Sequence, residues 1–121
     1  MVTETSGSAQ ARILIVDDNV EFRESAADIL ELAGYEDVHA VGREEAVERL
    51  HREPVDLLLL DLGLDRAGLG ILEGVRPVPI VVAISGLDEE PGDPRITTFL
   101  TKPIDPERLL AEVSSRLTPE G

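Results

Sequence analysis

Ile13-Leu14-Ile15-Val16-Asp17-Asp18-Asn19 is four apolar residues followed without a spacer by three polar ones. A short apolar run without polar alternation is the pattern of a strand covered on both faces. Two more runs have the same form. Val55-Asp56-Leu57-Leu58-Leu59-Leu60 ends in Asp61, and Pro79-Ile80-Val81-Val82-Ala83-Ile84 ends in Ser85-Gly86. Val38–Val41 is a weaker strand, and Thr97–Thr101 is a fifth that ends in Lys102-Pro103. Helical stripes lie between them. Glu21–Ala33 places Phe22, Ala26, Ile29, Leu30 and Ala33 on one face, with Gly34 at the stop. Arg43–Arg52 places Ala46, Val47 and Leu50 together before Pro54, and Ile71–Val75 is read as a short helix. Asp105-Pro106-Glu107 opens a last helix, buried through Leu109, Leu110, Val113 and Leu117. Alternating strands and helices with near-continuous apolar strands predict a doubly wound α/β domain. Its five-stranded parallel sheet is expected in the order 2-1-3-4-5.

The chain of 121 residues fits one such domain. Residues 1–11 are small and polar and are expected to be a disordered tail, with the domain over 12–117 and a short tail over 118–121. Twenty-five acids against 11 bases give a net charge of -14, which disfavours direct contact with nucleic acid or anionic membrane. Without Cys there are no disulfides, thiolate metal sites or Cys nucleophiles. No membrane-length apolar run and no secretory signal are visible, so a cytoplasmic location is expected. All the bases but Lys102 are Arg. A lone Lys in an Arg-rich chain suggests a place that needs a compact ammonium.

In doubly wound sheets ligands bind at the carboxyl ends of the strands. There the chain carries Asp17 and Asp18, Asp61, Ser85 with Gly86, and Lys102. Taken singly, each has a structural explanation. Asp17, Asp18 and Asn19 can cap a helix, Asp61 and Ser85 can serve turns, and Lys102 can lie along the surface. Taken together they form an oxygen-rich cluster with one cation. Such a donor set suits Mg²⁺, with Mn²⁺ as a substitute. One carboxylate of the three could accept a phosphoryl group as nucleophile, while the ion and Lys102 neutralise the phosphoryl oxygens. The Ser85 hydroxyl and the open backbone N–H of Gly86 could donate to that group.

The segments 13–19, 57–62, 83–86 and 99–105 give the pattern Ile-Leu-Ile-Val-Asp-Asp-Asn, Leu-Leu-Leu-Leu-Asp-Leu, Ala-Ile-Ser-Gly and Phe-Leu-Thr-Lys-Pro-Ile-Asp. This pattern resembles the receiver domains of bacterial two-component response regulators, over about Arg12 to Leu117. The resemblance implies a flavodoxin-like receiver fold and phosphorylation of Asp61 by a histidine kinase or phosphotransfer protein. It also implies Mg²⁺ on Asp17, Asp18, Asp61 and the carbonyl of Gly63. Ser85 is then the switch hydroxyl, Lys102 the phosphate contact and Phe99 the rotating aromatic, with a cis bond before Pro103. The chain departs from the family in three places. Asp65-Arg66 stand where a Pro is usual. The spacings from Asp61 to Ser85 and from Ser85 to Lys102 are each short by roughly a helical turn. Gly86, Pro91, Gly92 and Pro94 also oppose a helix before the fifth strand. A shortened third helix and a degraded or absent fourth are therefore expected.

The expected function is a phosphoacceptor signalling domain that acts on a downstream effector protein and is not an enzyme. Two other readings compete. One is a receiver-like interaction module that works without phosphorylation. The other is a Mg²⁺-dependent phosphatase with an Asp nucleophile, which the adjacent pair Asp17-Asp18 fits poorly.

Overall fold

A computed structural model describes residues 11–63, 67–86 and 92–117. Both expected tails fall outside these residues apart from Ala11, which is buried. Five strands form one sheet: β1 (Arg12–Val16), β2 (Asp37–Val41), β3 (Leu57–Asp61), β4 (Ile80–Ser85) and β5 (Thr98–Thr101). They lie in the order β2-β1-β3-β4-β5, and every pairing is parallel. Three α-helices connect and cover them: α1 (Val20–Leu32), α2 (Arg43–Arg52) and α3 (Pro106–Leu117). None is long and apolar enough to cross a membrane, among the described residues.

The period of two along each strand splits its apolar residues between two cores. Leu14, Val16, Leu58, Leu60, Val81 and Ala83 pack with Ala46 and Leu50 of α2. Ile13, Ile15, Leu57, Leu59, Val82, Ile84 and Leu100 pack with Ala26 and Leu30 of α1 and with Leu109 and Val113 of α3. Both faces are covered, which is why the central strands β1, β3 and β4 carry no polar alternation.

The helix ends follow from local chemistry. The Asn19 side chain accepts the Phe22 N–H at 3.0 Å, so α1 starts at Val20, one residue before the predicted start. Gly34, at φ 107°, turns the chain out of α1 where a side chain would be strained. α2 covers the predicted residues. Its first turn carries Glu44 and Glu45 and its last Arg49, His51 and Arg52, each suited to the dipole at that end.

Between β3 and β4 the expected short helix at Ile71–Val75 is corrected. A 3₁₀ helix spans Ala67–Leu72 instead. Gly68 and Gly70 weaken the α-form there, and the Gly68 N–H donates to the Leu62 carbonyl at 3.0 Å. Val75 N–H donates to the Leu72 carbonyl as the turn ends. Ile71 and Leu72 still reach the α2-side core.

Residues 87–91, where the fourth helix was in doubt, lie outside the described residues. From Gly92 to Thr97 there is no helix. The Asp93 carboxylate takes hydrogen bonds from the Arg95 backbone and guanidinium, which hold its pKa down to about 2. Thr97 then anchors β5 to β4: its N–H donates to Val81 carbonyl at 2.8 Å, and its Oγ1 accepts Val81 N–H at 3.1 Å.

Leu59 is 1% exposed between β3 and the α1–α3 layer, whereas Leu32 is 89% exposed at the end of α1. Leu59→Ala is expected to cost about 2–5 kcal/mol in urea unfolding. Leu32→Ala is expected to change stability by less than about 0.5 kcal/mol. Equal effects would mean that the two-sided core is misplaced.

Candidate functional site

Parallel strands bring their carboxyl ends to one edge, and the residues there meet. Asp17 follows β1 and is 3% exposed. Its Oδ1 accepts the Asn19 N–H at 2.8 Å, and its Oδ2 accepts Lys102 Nζ at 3.0 Å. Its own carbonyl takes a hydrogen bond from Arg23 Nη1 at 3.0 Å. Capping of α1 therefore falls to Asn19, which leaves Asp17 to face the ammonium. Asp61 closes β3, with its Oδ1 3.5 Å from Lys102 Nζ. Lys102 follows β5, and its backbone N–H donates to the Ser85 carbonyl at 2.8 Å. Three sequence-predicted residues from three strands thus share one point. The bond between Lys102 and Pro103 is cis, as is that between Arg76 and Pro77.

Asp18 is not drawn in. Its side chain is 67% exposed, and its Oδ2 lies 3.7 Å from Arg43 Nε at the start of α2. Among the described residues no three acidic or His side chains are gathered as a ready metal centre.

Ser85 is buried at the end of β4, one residue beyond Ile84, the β-ladder partner of Asp61. Gly86 follows it, exposed, with open space where a Cβ would stand. Gly63 has φ 79°, and its backbone hydrogen-bonds the Asp61 carboxylate. Phe99 lies further back on β5, paired with Ala83 and half-buried against the α2-side core.

Burial pushes the Asp61 pKa up, and the nearby Asp17 charge adds to it. Lys102 and the Gly63 hydrogen bond pull the other way without cancelling the rise. Asp61 is thus a carboxylate whose charge the neighbouring Lys102 offsets only in part.

Sequence reasoning missed five neighbours. Phe22, read as a core residue of α1, also carries the Lys102 ammonium over its ring, 4.4 Å from the centroid. Arg23 holds the Asp17 carbonyl. Gly42 leaves room for it, since a Cβ there would stand 3.3 Å from Arg23 Nη1. Gly68 lies under Asp61, and a Cβ there would fall 2.4 Å from the Asp61 carbonyl oxygen. The sequence signal for Gly68 was a Gly seven residues beyond a strand-end Asp, which is weak without the fold. Arg43 had no signal beyond its place at a helix start.

A raised folded pKa means that the native state holds the Asp61 proton more tightly than the unfolded chain does. Stability therefore falls as pH rises from the ordinary carboxylate range through the raised value, and the penalty persists at neutral pH. Asp61→Asn is expected to raise the melting temperature in chelator at pH 7 and to flatten that acid-side slope. A lower melting temperature for the Asn variant would show that the charge is not a burden.

A family model described as the response regulator receiver domain matches residues 13–114. The chain is 30% identical over 115 residues to the phosphate regulon transcriptional regulatory protein PhoB of Escherichia coli, covering 86% of this chain and 50% of that protein. It is 29% identical to the CAI-1 autoinducer sensor kinase/phosphatase CqsS of Vibrio cholerae, covering 88% of this chain and 17% of that protein. The chain therefore spans half or less of these curated relatives. Among solved structures, a CheY-like receiver domain protein from Methanospirillum hungatei superposes with a TM-score of 0.76 at 30% identity, covering 89% of this chain and 94% of that one. With most of its length matched by the family model and its sheet order shared with such neighbours, the chain belongs to the response regulator receiver domain family.

Proposed function

We propose that this receiver domain is phosphorylated on Asp61 by a histidine kinase or phosphotransfer protein and signals to a partner protein. The observation that carries the reading is the one ammonium of Lys102 held between Asp17 and Asp61 at the strand ends. An Asp61 carboxylate oxygen attacks phosphorus, and the P–N bond to the donor histidine breaks. Its electron pair leaves on the imidazole nitrogen, and an acyl phosphate forms on Asp61. Lys102 is near enough to neutralise the new phosphoryl oxygens. Ser85 and the Gly86 N–H stand at the end of β4 to donate to them. Phe99, on the strand that leads to Lys102, is the residue that responds.

The oxygen donors of Asp17, Asp61, Asp18 and the Gly63 carbonyl suit a small hard cation that keeps several waters. Mg²⁺ or Mn²⁺ on them would relieve the carboxylate repulsion and neutralise phosphoryl oxygens. Asp18 has to leave Arg43 to take part.

The relatives are named a transcriptional regulator and a sensor kinase/phosphatase, and both names support a place in a kinase-driven signalling chain. The net charge of -14 supports a protein partner over nucleic acid or membrane. A second reading, partner binding without phosphorylation, draws on the outward pairing of Asp18 with Arg43.

Incubation with Mg²⁺ and acetyl phosphate, followed by intact-mass measurement, separates the two. The wild type is expected to gain one phosphoryl group and Asp61→Asn none. Lys102→Arg keeps the charge but puts a wide planar group in a tight site, and is expected to slow the gain about tenfold or more. No gain in the wild type would favour the second reading.

Mg²⁺ at a hundred times its dissociation constant is expected to stabilise the wild type by about 2.7 kcal/mol. That corresponds to a rise of several degrees in melting temperature, and Asp18→Ala should abolish most of it. A wild-type melting temperature that ignores millimolar Mg²⁺ would count against the metal.

A further inference from the structure

Among the described residues the Lys102 ammonium lies against Asp17 at 3.0 Å, Asp61 at 3.5 Å and the face of Phe22, 4.4 Å from the ring centroid. The first two are the carboxylates that a divalent cation would draw upon. A cation there repels an ammonium that has only those carboxylates to hold it. The ring differs in kind. Its face is electron-rich, cannot be protonated and offers nothing to a hard metal ion. Phe22 is itself fixed, since it sits in the first turn of α1, follows the Asn19 cap and packs against the α1–α3 core. The chain has two Phe and one Lys, and a Phe and that Lys meet at this site.

We propose that Phe22 is a positioning residue: its ring keeps the Lys102 ammonium beside Asp61 when the carboxylates are otherwise engaged, and so speeds phosphoryl transfer. This rests on the reading of Asp61 as phosphoacceptor. Leu at position 22 would keep the apolar packing and lose the ring face. Tyr would keep both.

The single Lys makes the contact directly observable. Protein labelled with ¹³C-lysine is expected to give one ε-methylene signal, displaced upfield by the Phe22 ring current in the presence of Mg²⁺. In Phe22→Leu it should move to the position of a lysine with no ring beside it, while Phe22→Tyr keeps the displacement. The rate of phosphoryl gain from acetyl phosphate should fall about fivefold in Phe22→Leu, roughly 1 kcal/mol of barrier, and recover in Phe22→Tyr. A wild-type signal at the undisplaced position, or a Phe22→Leu rate equal to wild type, overturns the proposal. Failure of the wild type to gain any phosphoryl group would instead overturn the phosphoacceptor reading. The lysine signal then still reports whether the contact exists.

Discussion

Everything at the carboxyl edge of the sheet turns on one electrostatic imbalance. Parallel strands deliver Asp17 and Asp61 to neighbouring positions, and partial burial makes the Asp61 charge costly. One ammonium, arriving from β5 at the sheet edge, answers both. It answers incompletely, because the Asp61 carboxyl stays above its ordinary range. That shortfall of positive charge is the physical ground for the cation and the phosphoryl group proposed for this site.

The surrounding elements serve that imbalance. Backbone hydrogen bonds from Leu62 to Ile84 and from Lys102 to Ser85 tie the carboxyl ends of β3, β4 and β5 together beside Asp61. The Asn19 cap frees Asp17 from helix duty. Gly68 lets the 3₁₀ turn press on the backbone of Asp61, so the residue is braced from behind. Asp18 alone is outside this frame, paired with Arg43 and open to solvent.

Much of this was legible in the sequence, for a physical reason. A strand buried on both faces cannot alternate, so apolar runs such as 13–16 and 57–60 mark a covered parallel sheet. Where runs 13–16 and 57–60 give way to Asp, the strand is at its carboxyl end. The order of strands and the residues at their ends followed. The turn after Asp61 did not, because two Gly erase the apolar period that a helix reading needs, and the 3₁₀ helix came out four residues earlier than expected. The contacts of Phe22, Arg23 and Arg43 were also hidden. Each sits on a helix whose own pattern explains it, and for Phe22 and Arg43 the partner is also far off in sequence.

The solitary lysine has a practical side. Apart from the amino terminus of the chain, Lys102 carries the only primary amine. Amine-directed chemistry, whether a fluorophore ester, a bifunctional cross-linker or a resin coupling, therefore has no neutral surface lysine to consume it. With about a quarter of its side chain accessible, Lys102 is within reach of such reagents. Each event away from the terminus would blunt the site itself. Since the chain has no Cys, an introduced surface thiol is the handle that leaves the carboxylates and their cation intact.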